Sequence, residues 1–151
     1  MRCVRETAFV RENDLRSPIR EWLRSEGFEC ADELVVGDRR ADVVGFREDS
    51  VVAVELKLTD WRTALRQAMA YQVAADRAWV AMPLAHASRA FRHRGRFEAE
   101  GVGLLAVDDR GGPRQAIPAG PSPRVLPFAT EGLRVAAGRL FSNRETALEA
   151  L

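Results

Sequence analysis

Lysine is almost missing from this 151-residue chain: of 23 basic residues, one is a lysine, Lys57, and the rest are arginines. So strong a bias makes the exception informative, because arginine cannot replace lysine where a compact or deprotonatable amine is needed. Cysteine is scarce as well. Cys3 and Cys30 stand far apart with no CxxC or Cys/His cluster, so the sequence offers neither a zinc site nor a disulfide framework, and two free thiols are expected. Net charge is only +1, which excludes a protein that coats nucleic acid by bulk attraction; a polyanion must be met by local patches. No apolar run approaches the roughly 20 residues of a membrane helix, and the opening MRCVRETAFVREND lacks the apolar core of a secretion signal. A cytoplasmic protein without membrane attachment is the expectation.

Two further absences narrow the chemistry. No P-loop pattern occurs, and Gly101-x-Gly103-x-x-Ala106, which fits a dinucleotide-binding string, leads into Asp108-Asp109 and a Pro/Gly loop instead of a helix. His86 and His93 have no acidic or cysteine companions at metal-ligand spacing and read as surface residues.

What is present is apolar sequence, 46% of the chain, enough for one core. A chain of this length should bury roughly 70% of its unfolded surface. Leu15, Ile19, Trp22 and Leu23 form a helical stripe that ends at Gly27, a good C-cap residue. Ser17-Pro18 complicates its start, so the regular part is expected from Pro18, with a separate turn over residues 12–16. Three strands follow, at about residues 33–37, 41–46 and 51–58, joined by polar breaks into an antiparallel meander. Thr59 or Asp60 can cap a helix over residues 61–76 with Trp61, Ala64, Leu65, Ala68, Gln72 and Ala75 on its buried stripe. AWVAMP, from Ala78, reads as a strand buried on both faces. A basic helix over residues 86–98 and a fifth strand over residues 101–107 complete the order αβββαβαβ, an α/β protein with a mixed sheet flanked by helices. Residues 1–107 therefore form the core. Residues 108–151 are expected to pack on the same domain as a Pro/Gly-rich arm, irregular over 108–128, followed by two short helices: residues 130–137 and one begun by the capping box Ser142-x-x-Glu145.

The hairpin between the second and third strands can be put in register by counting. If residues 47–50 form the loop, Phe46 faces Val51, and stepping outward sets Asp42 opposite Glu55. Opposed side chains sit with Cβ atoms roughly 5 Å apart, where like charges destabilise. A divalent cation would offset the repulsion, since magnesium takes one or two carboxylates at about 2.1 Å and keeps waters elsewhere. Lys57 lies on the same face roughly 7 Å further along, where it could hold an attacking water or steady a phosphate. The competing explanation is a face of ordinary ion pairs, Asp42 with Arg40 and Glu55 with Lys57. Register, apolar flanks, the lone lysine and the helix immediately after it favour the metal site.

These residues, Asp42 and thirteen positions on Glu55-Leu56-Lys57, within an αβββαβ order, resemble the PD-(D/E)xK phosphodiesterase superfamily of restriction-endonuclease-like nucleases. The resemblance spans about residues 12–107 and includes Gln67-x-x-x-Tyr71 on the helix after the third strand; Ala41 stands where the superfamily's name has proline. It implies a restriction-endonuclease-like core in which Asp42, Glu55 and the carbonyl of Leu56 bind Mg2+ (or Mn2+) and Lys57 orients the nucleophilic water. Members often add a glutamate from the first helix. Glu12 is preferred over Glu21, because nine residues on one helix put the two about 180° apart and Glu12 falls on the Leu15, Ile19, Trp22 side. Gln67 and Tyr71, one turn apart, share a face and could reach the metal or a phosphate.

Arg89, Arg92, Arg94 and Arg96, with Arg62 and Arg66 beside the site, are candidate phosphate contacts. The expected function is a magnesium-dependent nuclease acting on DNA, with RNA as a possible substrate and repair, structure-specific or mobile-element roles in view. Two-strand cutting would require a homodimer. The alternatives are a catalytically silent nucleic-acid-binding module on the same fold and a protein-interaction module using the arm.

Overall fold

The computed structural model describes residues 9–149; Cys3 lies outside them. The chain opens with a 3-10 turn, Glu12–Leu15, running into α1, Arg16–Ser25. Pro18 is the third residue of α1, inside the first turn, where its missing N–H interrupts no helical bond. The expected split between a turn and a helix is found, with the helix starting two residues earlier.

The meander follows as β1 (Glu29–Val36), β2 (Arg39–Phe46) and β3 (Val51–Leu56). α2 (Trp61–Tyr71), β4 (Arg77–Pro83), α3 (Leu84–Phe91), α4 (Arg94–Glu100) and β5 (Gly103–Val107) come next. β6 (Pro113–Ile117) and α5 (Pro127–Glu149) finish the fold. The six strands form one sheet in chain order, antiparallel through β1-β2-β3, parallel through β3-β4-β5, and antiparallel again at β6. This is the α/β architecture and αβββαβ order expected. A solvent-averse middle explains the parallel part: β4 and β5 are buried from Ala78 and Gly103 onward, as strands covered on both faces must be.

The 3-10 turn and α1 cover one face, placing Leu15, Ile19 and Leu23 against Val43, Val54, Leu56, Trp79 and Leu105. On the other face α2, α3 and α4 pack over β4 and β5, and α5 lies beside them over β1 and β2. The predicted stripe on α2 is fully buried, Gln72 and Ala75 included although they lie just past the helix end.

Three expectations fail, each for a physical reason. The arm is not irregular throughout: residues 113–117 add an edge strand, β6, whose proline takes the first position, where no ladder bond is lost. The two short C-terminal helices are one helix. Ala129, Leu133, Ala137 and Phe141, four residues apart in turn, keep it on the sheet through Gly138, and Phe141 meets Phe46 edge-on at 6.3 Å. The basic helix is broken at Arg92-His93. After Ala87 and Ala90 the stripe has no apolar residue until Phe97, and Gly95 weakens the helix between them.

Residues 118–126 are bonded down: Ser122 N donates to the Asp76 carbonyl at 2.8 Å and Leu126 N to that of Val73 at 2.8 Å. The Arg124 guanidinium reaches the buried Gln72 amide oxygen and the Glu100 carboxylate. Gly103 is obligatory for a different reason. A Cβ there would lie 2.3 Å from the Trp79 ring and 2.7 Å from the Ala119 nitrogen, so Gly103→Ala is expected to cost about 1–3 kcal/mol or more, measured by urea unfolding.

Candidate active site

The parallel strands β3, β4 and β5 end on one edge of the sheet, at Leu56, Pro83 and Val107. In open α/β sheets that edge is where ligands gather. Of the residues singled out in the sequence, Asp42, Glu55, Lys57, Tyr71 and Glu12 come together there.

Counting across the loop gives the observed register: Phe46 pairs with Val51, Gly45 with Val52, Val44 with Ala53 and Val43 with Val54. The ladder then stops one step short of Asp42 and Glu55. The Leu56 amide, instead of continuing the ladder, donates to Asp42 Oδ2 at 2.8 Å. The two carboxyl groups are nonetheless hydrogen-bond neighbours, and each perturbs the other's ionisation. Burial, above all, raises the Asp42 carboxyl; the Leu56 amide works the other way, and the Glu33 charge adds to the rise. Glu55, only 5% exposed, is pushed up to about 8, chiefly by burial. The Tyr71 bond and the Lys57 charge act in the opposite direction, while the Asp42 charge adds to the rise.

Tyr71 ends α2 fully buried, its hydroxyl 2.5 Å from Glu55 Oε2 and 2.7 Å from the Arg40 carbonyl. A phenol has a single hydrogen. Tyr71 directs it to Glu55 Oε2, with the Arg40 carbonyl as the other acceptor in reach. Burial and the Glu55 contact raise the Tyr71 pKa further, so the phenol stays neutral. Gln67 stands one turn earlier on α2, and its Oε1 is buried without a hydrogen-bond partner.

Lys57 Nζ lies 3.7 Å from Glu12 Oε1, so the 3-10 turn does bring Glu12 to the site. Asp14 Oδ2 anchors that turn by accepting from the Val10 and Arg11 amides at 3.0 and 2.9 Å. Glu21 is exposed on α1. Asp60 caps α2 through Thr63, which fixes the helix directly after Lys57.

The arginines are exposed but do not share one helix: Arg89 lies on α3, Arg92 in the break, and Arg94 and Arg96 on α4. Trp61, at the start of α2, gathers part of the set, with Arg62 4.7 Å and Arg96 5.9 Å from its ring and His93 stacked on it at 4.5 Å. Arg94 lies over Phe91 instead, and Arg66 bonds Thr63 on α2. His93 therefore has a place beside an aromatic anchor, which spacing along the sequence gave no means of finding. Arg110 and Arg114 were also missed. They line a cavity of about 470 Å3 with Leu84, Ala85, Asp108 and Asp109, at the same edge of the sheet.

Among the described residues no group of three or more His, Cys, Asp or Glu side chains stands close enough to hold a metal ion. The donors that do converge are the carboxyl groups of Asp42 and Glu55. Such a set fits a hard cation that keeps waters on its remaining positions, and a cation there would take the place of the proton that Glu55 holds up to about 8.

No family model matches the chain, and no curated protein does. A solved structure does: the SPO1766 protein of unknown function from Silicibacter pomeroyi, with a TM-score of 0.68 at 20% identity over 89% of this chain and 88% of that one. At that identity the likeness shows a shared fold. No described helix is long and apolar enough to cross a membrane.

Proposed function

We propose that the protein is a magnesium-dependent nuclease that hydrolyses phosphodiester bonds in DNA, a PD-(D/E)xK phosphodiesterase in its site and element order. The observation that carries this reading is the half-buried Asp42 beside the buried Glu55, with Lys57 directly after the end of β3 and Glu12 beside it. Two carboxyl groups drawn together out of water need a proton or a cation between them, and their position at the end of the parallel strands suits a ligand site better than a structural bridge.

Asp42, Glu55 and the Leu56 carbonyl would hold the ion, Mg2+ or Mn2+. When bound, it supplies Lewis acidity and lowers the pKa of a coordinated water. Lys57, steadied by Glu12, places an ammonium where it orients the attacking water and balances charge developing on the phosphoryl oxygens. Tyr71 takes up the Glu55 oxygen that faces the protein and keeps the carboxylate from rotating. Gln67, with an unsatisfied oxygen on the same helix face, adds an acceptor for water. Arg62, Arg66, Arg89, Arg92, Arg94 and Arg96 contact phosphates, which positions a nucleic acid without reading its sequence. One such centre meets one strand, so cutting both strands takes two copies of the chain.

The test offers supercoiled plasmid, linear duplex, branched DNA and RNA, with Mg2+, Mn2+ or chelator. Divalent-ion-dependent cleavage of DNA that disappears with chelator is the expected result. Cleavage of RNA alone would change the substrate. Ion binding without cleavage would favour a silent nucleic-acid-binding module, and neither binding nor cleavage a protein-interaction module.

A further inference from the structure

Asp42 interrupts the sheet on both sides. β1 and β2 pair Asp32 with Val43 and Leu34 with Ala41, yet the Glu33 and Asp42 pair between them is missing. On the other side the β2 and β3 pairing ends at Val43. Glu33 itself has φ +56°, in the left-handed region that non-glycine residues seldom enter. Such strain persists only where the surroundings impose it.

Arg16, the first residue of α1, occupies this gap. Its Nη1 donates to the Asp42 carbonyl at 2.5 Å, its Nη2 to Glu33 Oε1 at 2.7 Å, and its Nε to Asn13 Oδ1 at 2.9 Å. Nη1 also lies 3.7 Å from Asp32 Oδ1. The planar fork of one guanidinium therefore ties together three things. It takes the Asp42 backbone carbonyl that would otherwise point into the ladder, it pulls Glu33 out of extended geometry, and through Asn13 it grips the turn that carries Glu12. With the carbonyl held, the Asp42 carboxylate is left to meet the Leu56 amide and Glu55.

We propose that Arg16 is a positioning residue for the acidic centre: it sets the place of Asp42 and its spacing from Glu12, with the strained Glu33 as its anchor. This rests on the reading of Asp42 and Glu55 as holders of a divalent cation. Arg16 touches neither substrate nor ion in this role and acts through Asp42.

Two variants separate positioning from folding. Arg16→Ala removes the fork. Glu33→Gly removes the anchor together with the negative charge it sets near Asp42, and frees the left-handed backbone, where glycine is at ease, so its thermal midpoint should stay near that of the wild type. Mg2+ affinity is read by calorimetry without nucleic acid, and cleavage is read against Mg2+ concentration. Both variants should bind Mg2+ about tenfold or more weakly, as loss of a supporting partner does, and their cleavage should recover in large part at saturating Mg2+. Wild-type Mg2+ affinity in Arg16→Ala would overturn the positioning role while leaving the nuclease reading intact. A wild-type protein that binds no Mg2+ would overturn both.

Discussion

Glu55→Gln is expected to stabilise the ion-free protein above neutral pH while slowing DNA cleavage at least about 100-fold, since groups one shell further from a metal already cost about 10- to 100-fold. The two effects share one cause. In the folded protein Glu55 holds its proton up to about 8, whereas an unfolded chain releases it near the ordinary 4.5. Between those values the folded state binds more protons than the unfolded state, so stability falls as pH rises. The full contribution is present below about 4.5 and is lost once pH passes about 8. At about 1.4 kcal/mol per pKa unit the loss reaches a few kcal/mol. Glutamine keeps the shape and has nothing to ionise, so the variant's thermal midpoint should be flatter across that window, apart from the effect of Asp42, which runs in the same direction. Added Mg2+ should raise the midpoint of the wild type most at the upper end of the window, because the ion competes with the Glu55 proton. A wild-type midpoint that rises through this range, measured by calorimetry in chelator, would contradict the assignment of Glu55 as a buried, proton-holding carboxyl.

Lys57 is the second test. Lys57→Ala should lower the single-turnover cleavage rate about 10²- to 10³-fold at saturating Mg2+, the usual cost of one preorganised charge donor. It should leave Mg2+ affinity within a few fold, because the ammonium is not among the donors to the ion. Lys57→Arg is the sharper variant. The chain has arginine almost everywhere else, so an arginine that worked here would leave the exception without a chemical reason. The guanidinium is wider and cannot give up its proton, and its rate is expected to stay close to that of Lys57→Ala. Wild-type rates in Lys57→Arg would defeat the inference drawn from the lone lysine.

The grouping of the candidate site's residues was legible because its parts are coupled to regular structure. A strand has a period of two, so one hairpin loop was enough to bring Asp42 towards Glu55 and to keep Lys57 on the same side. Tyr71 followed from one helical turn, and Glu12 from the stripe that Leu15 and Ile19 define. What stayed hidden depends on irregular backbone or on distance along the chain. Arg16 acts through a carbonyl freed by a gap in the ladder, and no pattern of side chains announces such a gap. β6 was hidden because proline and glycine at its ends mark a loop, although an edge strand accepts both. His93 finds Trp61 only because the basic helix breaks, and the break itself rests on one missing apolar residue.

The last helix, α5, covers the first strand, β1, and its Leu133 and Ala137 share a core with Ala31, Leu34 and Tyr71. During synthesis, then, the first strand leaves the ribosome with an apolar face that stays bare until Phe141 has emerged. Contacts spanning so much of the chain are slow to close. Tyr71, the hydrogen-bond partner of Glu55, lies in that core, and a chain stalled before α5 would expose a sticky sheet face to chaperones and proteases.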